Sequence, residues 1–200
     1  MKEIRHTGKF VIFLMLGLLI TPSQAQTGLG VAGTLYYPGF FASDLNNSRF
    51  GLGGGYEIFA RHKLFEINPD IVLQARYNYR KYYDKINLPA TGTTSFNFTY
   101  LSISILTPIK QYASVKIYSG AGISLATITS TVDSYYFKKV AEVSLLPDLI
   151  SGIEWYPGKN YNIFAEICFQ YGQVRVSHDL IPLNGLRFSL GATMFLIAEE

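Results

Sequence analysis

The stretch GLRFSLGATMFLI (Gly185 to Ile197) puts Leu186, Phe188, Leu190, Ala192, Met194 and Leu196 at every second position, with Arg187, Ser189, Gly191 and Thr193 between them. Successive side chains of a β-strand point to opposite faces, so a period of two predicts a strand with one apolar and one polar face. Phe195 and Ile197 blur the pattern only at its end. A face carrying leucine, phenylalanine and methionine this regularly is not left in water.

Upstream, Tyr161, Ile163, Ala165, Ile167, Phe169 and Tyr171 repeat the design, opposite Asn162, Glu166, Cys168, Gln170 and Gly172. Here the apolar face has a tyrosine at each end. Tyrosine and tryptophan favour the two interfaces of a bilayer, where ring and hydroxyl meet different solvents. Trp155 and Tyr156, beside a turn, fit the same girdle. Six further segments read as strands: Gly28 to Tyr37, Phe50 to Ala60, Leu64 to Arg80, Thr94 to Thr107, Tyr112 to Thr127 and Val143 to Tyr156. That makes eight, and an even count returns both ends of a closed antiparallel barrel to one side.

The connections support closure in a membrane. Short turns are predicted at Arg61-His62-Lys63, at Pro108 to Gln111 and at Pro157 to Asn160, and they alternate with long loops at 38–49, 81–93, 128–142 and 173–184. Outer-membrane barrels pair short periplasmic turns with longer external loops, whereas a soluble sandwich has no reason to order its connections so. The expected fold is therefore all-β: an eight-stranded antiparallel up-and-down transmembrane barrel. Three irregularities are predicted. Phe96 and Phe98 are out of phase with Leu101, Ile103 and Ile105, which calls for a bulge near Tyr100; Pro69 and Pro147 call for bulges or strand starts.

Composition agrees with this reading. The 200 residues are 16% charged, below the roughly 25% of soluble domains, and include 15 Tyr, 14 Phe and 18 Gly. The net charge of +3 comes without a basic stripe, so nucleic acid is excluded as a partner. Lys2, Arg5 and Lys9 precede the apolar run Phe10 to Ile20, and Ser23 and Ala25 supply small residues for cleavage before Gln26. Residues 1–25 are thus expected to be a signal peptide and 26–200 the barrel domain, because eleven apolar residues are too short to anchor a helix across a bilayer that needs about 20.

With aliphatics outside, the opposite face fills the lumen. It carries Glu57, Glu66, Asp70, Arg76, Arg80, Lys116, Glu154, Glu166 and Arg187. An eight-stranded barrel has room for little besides its own side chains, so these charges are expected to pair as a polar plug; the alternative is a narrow passive pore lined by them. Glycines 51, 53, 55, 120 and 122 leave space for larger inward side chains, and no helix follows Gly51 to Gly55 to make a phosphate loop.

Chemistry is sparse. His178 lies between Ser177 and Asp179 in the last long loop, where neighbours on an extended chain point apart and make no relay. His62 sits in a short turn, Cys168 is a small lumen filler, and Asp44, Asn46 and Asn47 lack calcium-loop spacing. No cofactor, metal or catalytic residue is expected. Aromatic and basic segments such as Arg80 to Lys85 suit contact with lipopolysaccharide or a protein partner at the external loops. A soluble secreted calyx for a small apolar ligand is a rival reading, with the opposite polarity: aliphatics inside and charge outside.

Four motifs, Phe65-Glu66-Ile67-Asn68-Pro69-Asp70, Tyr100-Leu101-Ser102-Ile103, Ser119-Gly120-Ala121-Gly122-Ile123 and Gly152-Ile153-Glu154-Trp155, give the chain a resemblance to the small outer-membrane β-barrel family that includes the PorT-like proteins. Ser102 and Ser104 stand where that family often carries an acid and a proline. The resemblance covers most of the mature chain and implies an outer-membrane barrel, one branch of the family being associated with a secretion system. It implies no catalytic residues. The final strand also resembles the carboxy-terminal signal read by the barrel-assembly machinery, although Ala198-Glu199-Glu200 follows it.

Overall fold

A computed structural model describes residues 27–38, 52–63, 70–83, 95–130, 143–158, 160–176 and 179–196. Eight long strands form the wall: β1 (Thr27–Pro38), β2 (Gly53–Lys63), β3 (Val72–Tyr83), β4 (Ser95–Gln111), β5 (Val115–Ser130), β6 (Val143–Trp155), β7 (Tyr161–Gln170) and β10 (Gly185–Leu196). A hairpin of β8 (Gln173–Val176) and β9 (Asp179–Pro182) stands in the connection before β10. Each wall strand pairs antiparallel with its sequence neighbours, and β1 closes on β10. Every edge in the wall is thereby paired, as hydrocarbon requires of a backbone with no water to bind. No helix among the described residues is long and apolar enough to cross a membrane.

The register fixes the barrel's shape. Cross-strand partners followed from Tyr161 run through Met194, Leu29, Ala60, Ala75, Ile103, Ile123 and Pro147, and return to the starting chain at Tyr171. One circuit therefore climbs from residue 161 to 171. Ten residues at about 3.3 Å, over eight strands about 4.8 Å apart, require a strand tilt of about 40°. At that tilt Tyr161 and Tyr171 stand about 25 Å apart along the barrel axis, the height of an outer-membrane barrel's apolar band. Both tyrosines are exposed, as is Trp155 at the lower rim.

Alternation decides what faces out. Val31, Leu35, Ile103, Ile105, Ile123, Leu149, Ile167, Leu190 and Met194 all point away from the lumen, with Leu190 67% exposed. Facing in are Glu57, Arg76, Asn78, Arg80, Ser124, Asp148, Asn162, Glu166, Gln170 and Arg187, each at 2% exposure or less. A soluble calyx has the reverse polarity, so that reading is withdrawn.

Several sequence expectations need correction. No bulge occurs at Tyr100: the β4–β5 register runs unbroken from Phe96 to Pro108 and shifts only between Pro108 and Lys110. Phe98 and Tyr100 simply belong to the inner face, both fully buried. Pro147 lies inside β6 without a bulge, paired with Ile123. Its carbonyl accepts from the Tyr171 amide, so its missing N–H also points towards β7, one step beyond the last paired residues, Asp148 and Gln170. The ladder loses little there. Arg61-His62-Lys63 is not a turn but the end of β2, and Arg80 to Tyr83 belongs to β3 rather than a loop. The last long loop contains the β8–β9 hairpin. The expected signal segment, Pro69 and Gly51 lie outside the described residues.

Inward rings settle over inward glycines. A Cβ on Gly30 would collide with the Phe59 ring, and one on Gly152 with the ring of Tyr118. Gly28 and Gly185 likewise lie under the rings of Phe195 and Tyr36, whereas the expected Gly55, Gly120 and Gly122 abut backbone carbonyls of the neighbouring strands.

Candidate functional site

The middle of the lumen is held by four charges from four strands. Glu57 comes from β2, Arg76 from β3, Glu166 from β7 and Arg187 from β10. Arg76 donates through both terminal nitrogens to Glu166, at 2.6 and 2.9 Å, and its Nε lies 3.3 Å from Glu57. Arg187 mirrors it, with Nη2 2.9 Å from Glu166 and Nε 3.1 Å from Glu57. Two carboxylates and two guanidiniums close a ring of neutral total charge. Asn78 Nδ2 donates to Glu57 at 2.8 Å and Tyr118 OH to Glu166 at 3.0 Å. Glu166 is thus multiply hydrogen-bonded, whereas Glu57 Oε2, both Nε atoms and Arg187 Nη1 make no hydrogen bond among the described residues, so the Glu57 side of the ring is held mainly by opposite charge.

Above this ring, Asp148 accepts from Ser124 and, at 2.8 Å, from Gln170 Nε2. Arg80 donates at 2.5 Å both to Asn78 and to Gln170, and its guanidinium lies 4.0 Å from the Tyr100 ring centre and 4.8 Å from that of Tyr36. A planar cation between the Tyr36 and Tyr100 rings explains why Tyr100 is inside, and Phe98 stacks on Tyr100 in turn.

Below the ring, Arg61 pairs with Glu154, donates to Gln74 at 2.5 Å, and stacks 4.9 and 4.8 Å from the centres of Phe59 and Phe164. Tyr156, in the turn after β6, donates to Glu154. Burial first, then the nearby Glu154 charge, pushes the Tyr156 phenol above its ordinary pKa, so the hydroxyl keeps the proton it donates.

Of the nine residues singled out from the sequence, Glu57, Arg76, Glu166 and Arg187 meet directly, and Arg80 and Glu154 stand above and below them. Lys116 is buried at the inner mouth, Asp70 is exposed in the turn before β3, near Lys63, rather than in the lumen, and Glu66 lies outside the described residues. Arg61 and Asp148 were missed: one stands in a charged triplet that mimics a turn, the other follows a proline. His62 is buried with Nδ1 3.1 Å from Thr27 Oγ1, and Cys168 is a buried free thiol against Leu106, Tyr118 and Ile150. His178 and the Asp44 loop lie outside the described residues, and no group of metal-ligating side chains occurs among those described.

A closed eight-stranded barrel with an apolar belt and a charged, packed interior is an integral barrel of the outer-membrane class. Solved structures agree with that class. OprG from Pseudomonas aeruginosa superposes with a TM-score of 0.62 at 8% identity, over 87% of this chain and 97% of that one. Neisserial surface protein A gives 0.57 at 16% identity over 87% and 97%, and the outer membrane protein AlkL gives 0.50 at 11% over 90% and 95%. At these identities the likeness is one of fold. No family model matches the sequence, and no curated protein matches it either. The chain is thus an outer-membrane β-barrel, and the PorT-like motifs carry no further.

Proposed function

We propose that the chain is a sealed, non-enzymatic barrel that anchors its external loops in the outer membrane, with the lumen acting as a polar plug rather than a path. The observation that carries this is the Glu57–Arg76–Glu166–Arg187 ring, in which each carboxylate is paired with both guanidiniums. Phe59, Tyr118 and Phe164, each at 1% exposure or less, pack with Arg61 beneath it. An ion crossing here would have to displace four mutually bonded charges. Interaction with lipopolysaccharide, with a protein partner or with envelope and secretion components then falls to the loop end, supported by the loop composition and the four PorT-like sequence motifs. Insertion by the barrel-assembly machinery rests on the pattern of the last strand.

Reconstitution of the full chain into planar lipid bilayers tests the plug. The expected record has no discrete conductance steps, and stable steps at low voltage would replace the plug with a narrow pore. A Glu57→Ala, Glu166→Ala double variant should conduct if the ring is the barrier.

A further inference from the structure

At the outer end the wall is uneven. β7 stops at Gln170, opposite Asp148, while β6 runs on to Val143. The β8–β9 hairpin keeps the register of the β7–β10 pair, with Gln170 facing Gly185 and Gln173 facing Pro182, so it is the same ribbon continued past a break. At the break the ladder is rerouted. The Leu183 amide donates to the Gly172 carbonyl at 2.9 Å, but the Leu183 carbonyl accepts from the Tyr36 hydroxyl, and the Gly172 amide donates to Asn184 Oδ1 at 2.7 Å. Gly172 has a φ of +154°, and a Cβ there would collide with the Leu146 side chain. On the other flank, Pro147 accepts from the Tyr171 amide at 3.1 Å and has no N–H to return. The ribbon is thus held to β6 by half a pair at the place where it bends. Beyond that place two strand edges are unpaired among the described residues: Val143 and Leu145 on β6, and Gln173 and Arg175 on β8, which lies beside β6 without joining its sheet.

We infer that β8–β9 is a hinged cover at the outer mouth, with a second position in which the ribbon straightens at Gly172 and β8 anneals to the free edge of β6. Continuing the β6–β7 register sets Gln173 opposite Leu145 and Arg175 opposite Val143. Hydrogen-bonded pairs recur every second residue, and Tyr171 is bonded to Pro147, so both new pairs fall where each edge offers a donor and an acceptor to the other. An unpaired edge is a template for such addition, and here it stands above Tyr171, beyond the apolar belt, where water tolerates it. The two positions exclude one another. Bent, the Leu183 backbone is drawn in to Tyr36, and both residues are 1% exposed. Straight, the Leu183 carbonyl returns to the Gly172 amide and the Tyr36 hydroxyl is released, and glycine at the bend permits both backbone conformations. The Glu57–Arg76–Glu166–Arg187 ring lies deeper and is the same in either position, so the inference holds whether or not the lumen is sealed.

The test uses the full chain folded in lipid vesicles in a Cys168→Ala background, with folding of each variant checked by the heat-dependent shift in gel mobility. Val143→Cys and Arg175→Cys are introduced together, since hydrogen-bonded antiparallel neighbours lie about 5.5 Å apart at Cα, within reach of a disulfide. Mild oxidation followed by mass spectrometry should show a disulfide within one chain. It should form at least threefold faster when Tyr36→Phe removes the hydroxyl that draws Leu183 inward, and likewise when Gly172→Ala strains the bend; either substitution serves should the other fail to fold. Leu145→Cys with Arg175→Cys, one pair out of register, should cross-link more slowly. No disulfide within the chain, a rate indifferent to both substitutions, or equal rates in and out of register overturns the inference. So does a disulfide joining two chains through residue 143, which would assign the β6 edge to a second copy.

Discussion

In the middle of the lumen, two arginines and two glutamates share five close contacts and sum to zero charge. Among the described residues of the inner mouth, Arg61, Lys63, Lys116 and Glu154 line an opening to solvent, with Asp70 acting on Lys63. The same residue types serve both regions. What differs is whether register brings opposite charges to one height inside the wall, and the difference separates an enclosed ion-pair ring from a mouth that meets solvent. Removing a charge from the middle leaves its partners stranded, whereas removing one at the mouth relieves repulsion.

The largest effect should follow Glu166→Ala, which strips acceptors from Arg76, Arg187 and Tyr118 at once. A loss of about 3–5 kcal/mol is expected, read by urea unfolding in lipid vesicles with Trp155 as the fluorophore. A change below about 0.5 kcal/mol, the range of an uninvolved surface site, would break the distinction between the two regions.

How far these regions were legible in the sequence depends on what each residue had to reveal. β7 and β10 were readable because alternation is local and strict in them. The end of β2 was not, since Arg61-His62-Lys63 has the polarity of a turn, and only the closed barrel makes a buried arginine there sensible. The phase of Phe98 and Tyr100 is hard to read because aromatics also suit the lipid face, whereas Tyr100 stacks on Arg80 and Phe98 on Tyr100 inside the lumen. The four ring residues could be named one by one. Their meeting could not, because it depends on the climb in register around the barrel, which no single strand encodes.

Leu190→Arg is expected to cost about 2–4 kcal/mol in the same assay, since the residue is exposed near the middle of the apolar belt. If that arginine were free of cost, the outer wall would not meet hydrocarbon. Gly152→Ala should lose about 1–3 kcal/mol by forcing the Tyr118 ring off the β6 backbone, and a Tyr118→Leu background should recover part of the loss. The smallest effect belongs to the mouth: Lys116→Gln should change stability by no more than about 0.5 kcal/mol, or raise it. A loss as large as that of Glu166→Ala would show the mouth to be as saturated as the middle.

Cys168 offers the most direct test of the sealed lumen. It is the chain's single cysteine, faces inward and is 0% exposed. A small charged methanethiosulfonate should leave it unmodified while the barrel is folded in vesicles and modify it fully once urea unfolds the chain, as mass spectrometry would record. Modification of the folded barrel at a rate near that of the unfolded chain would mean that water and ions reach the middle of the lumen, and the plug would have to be abandoned.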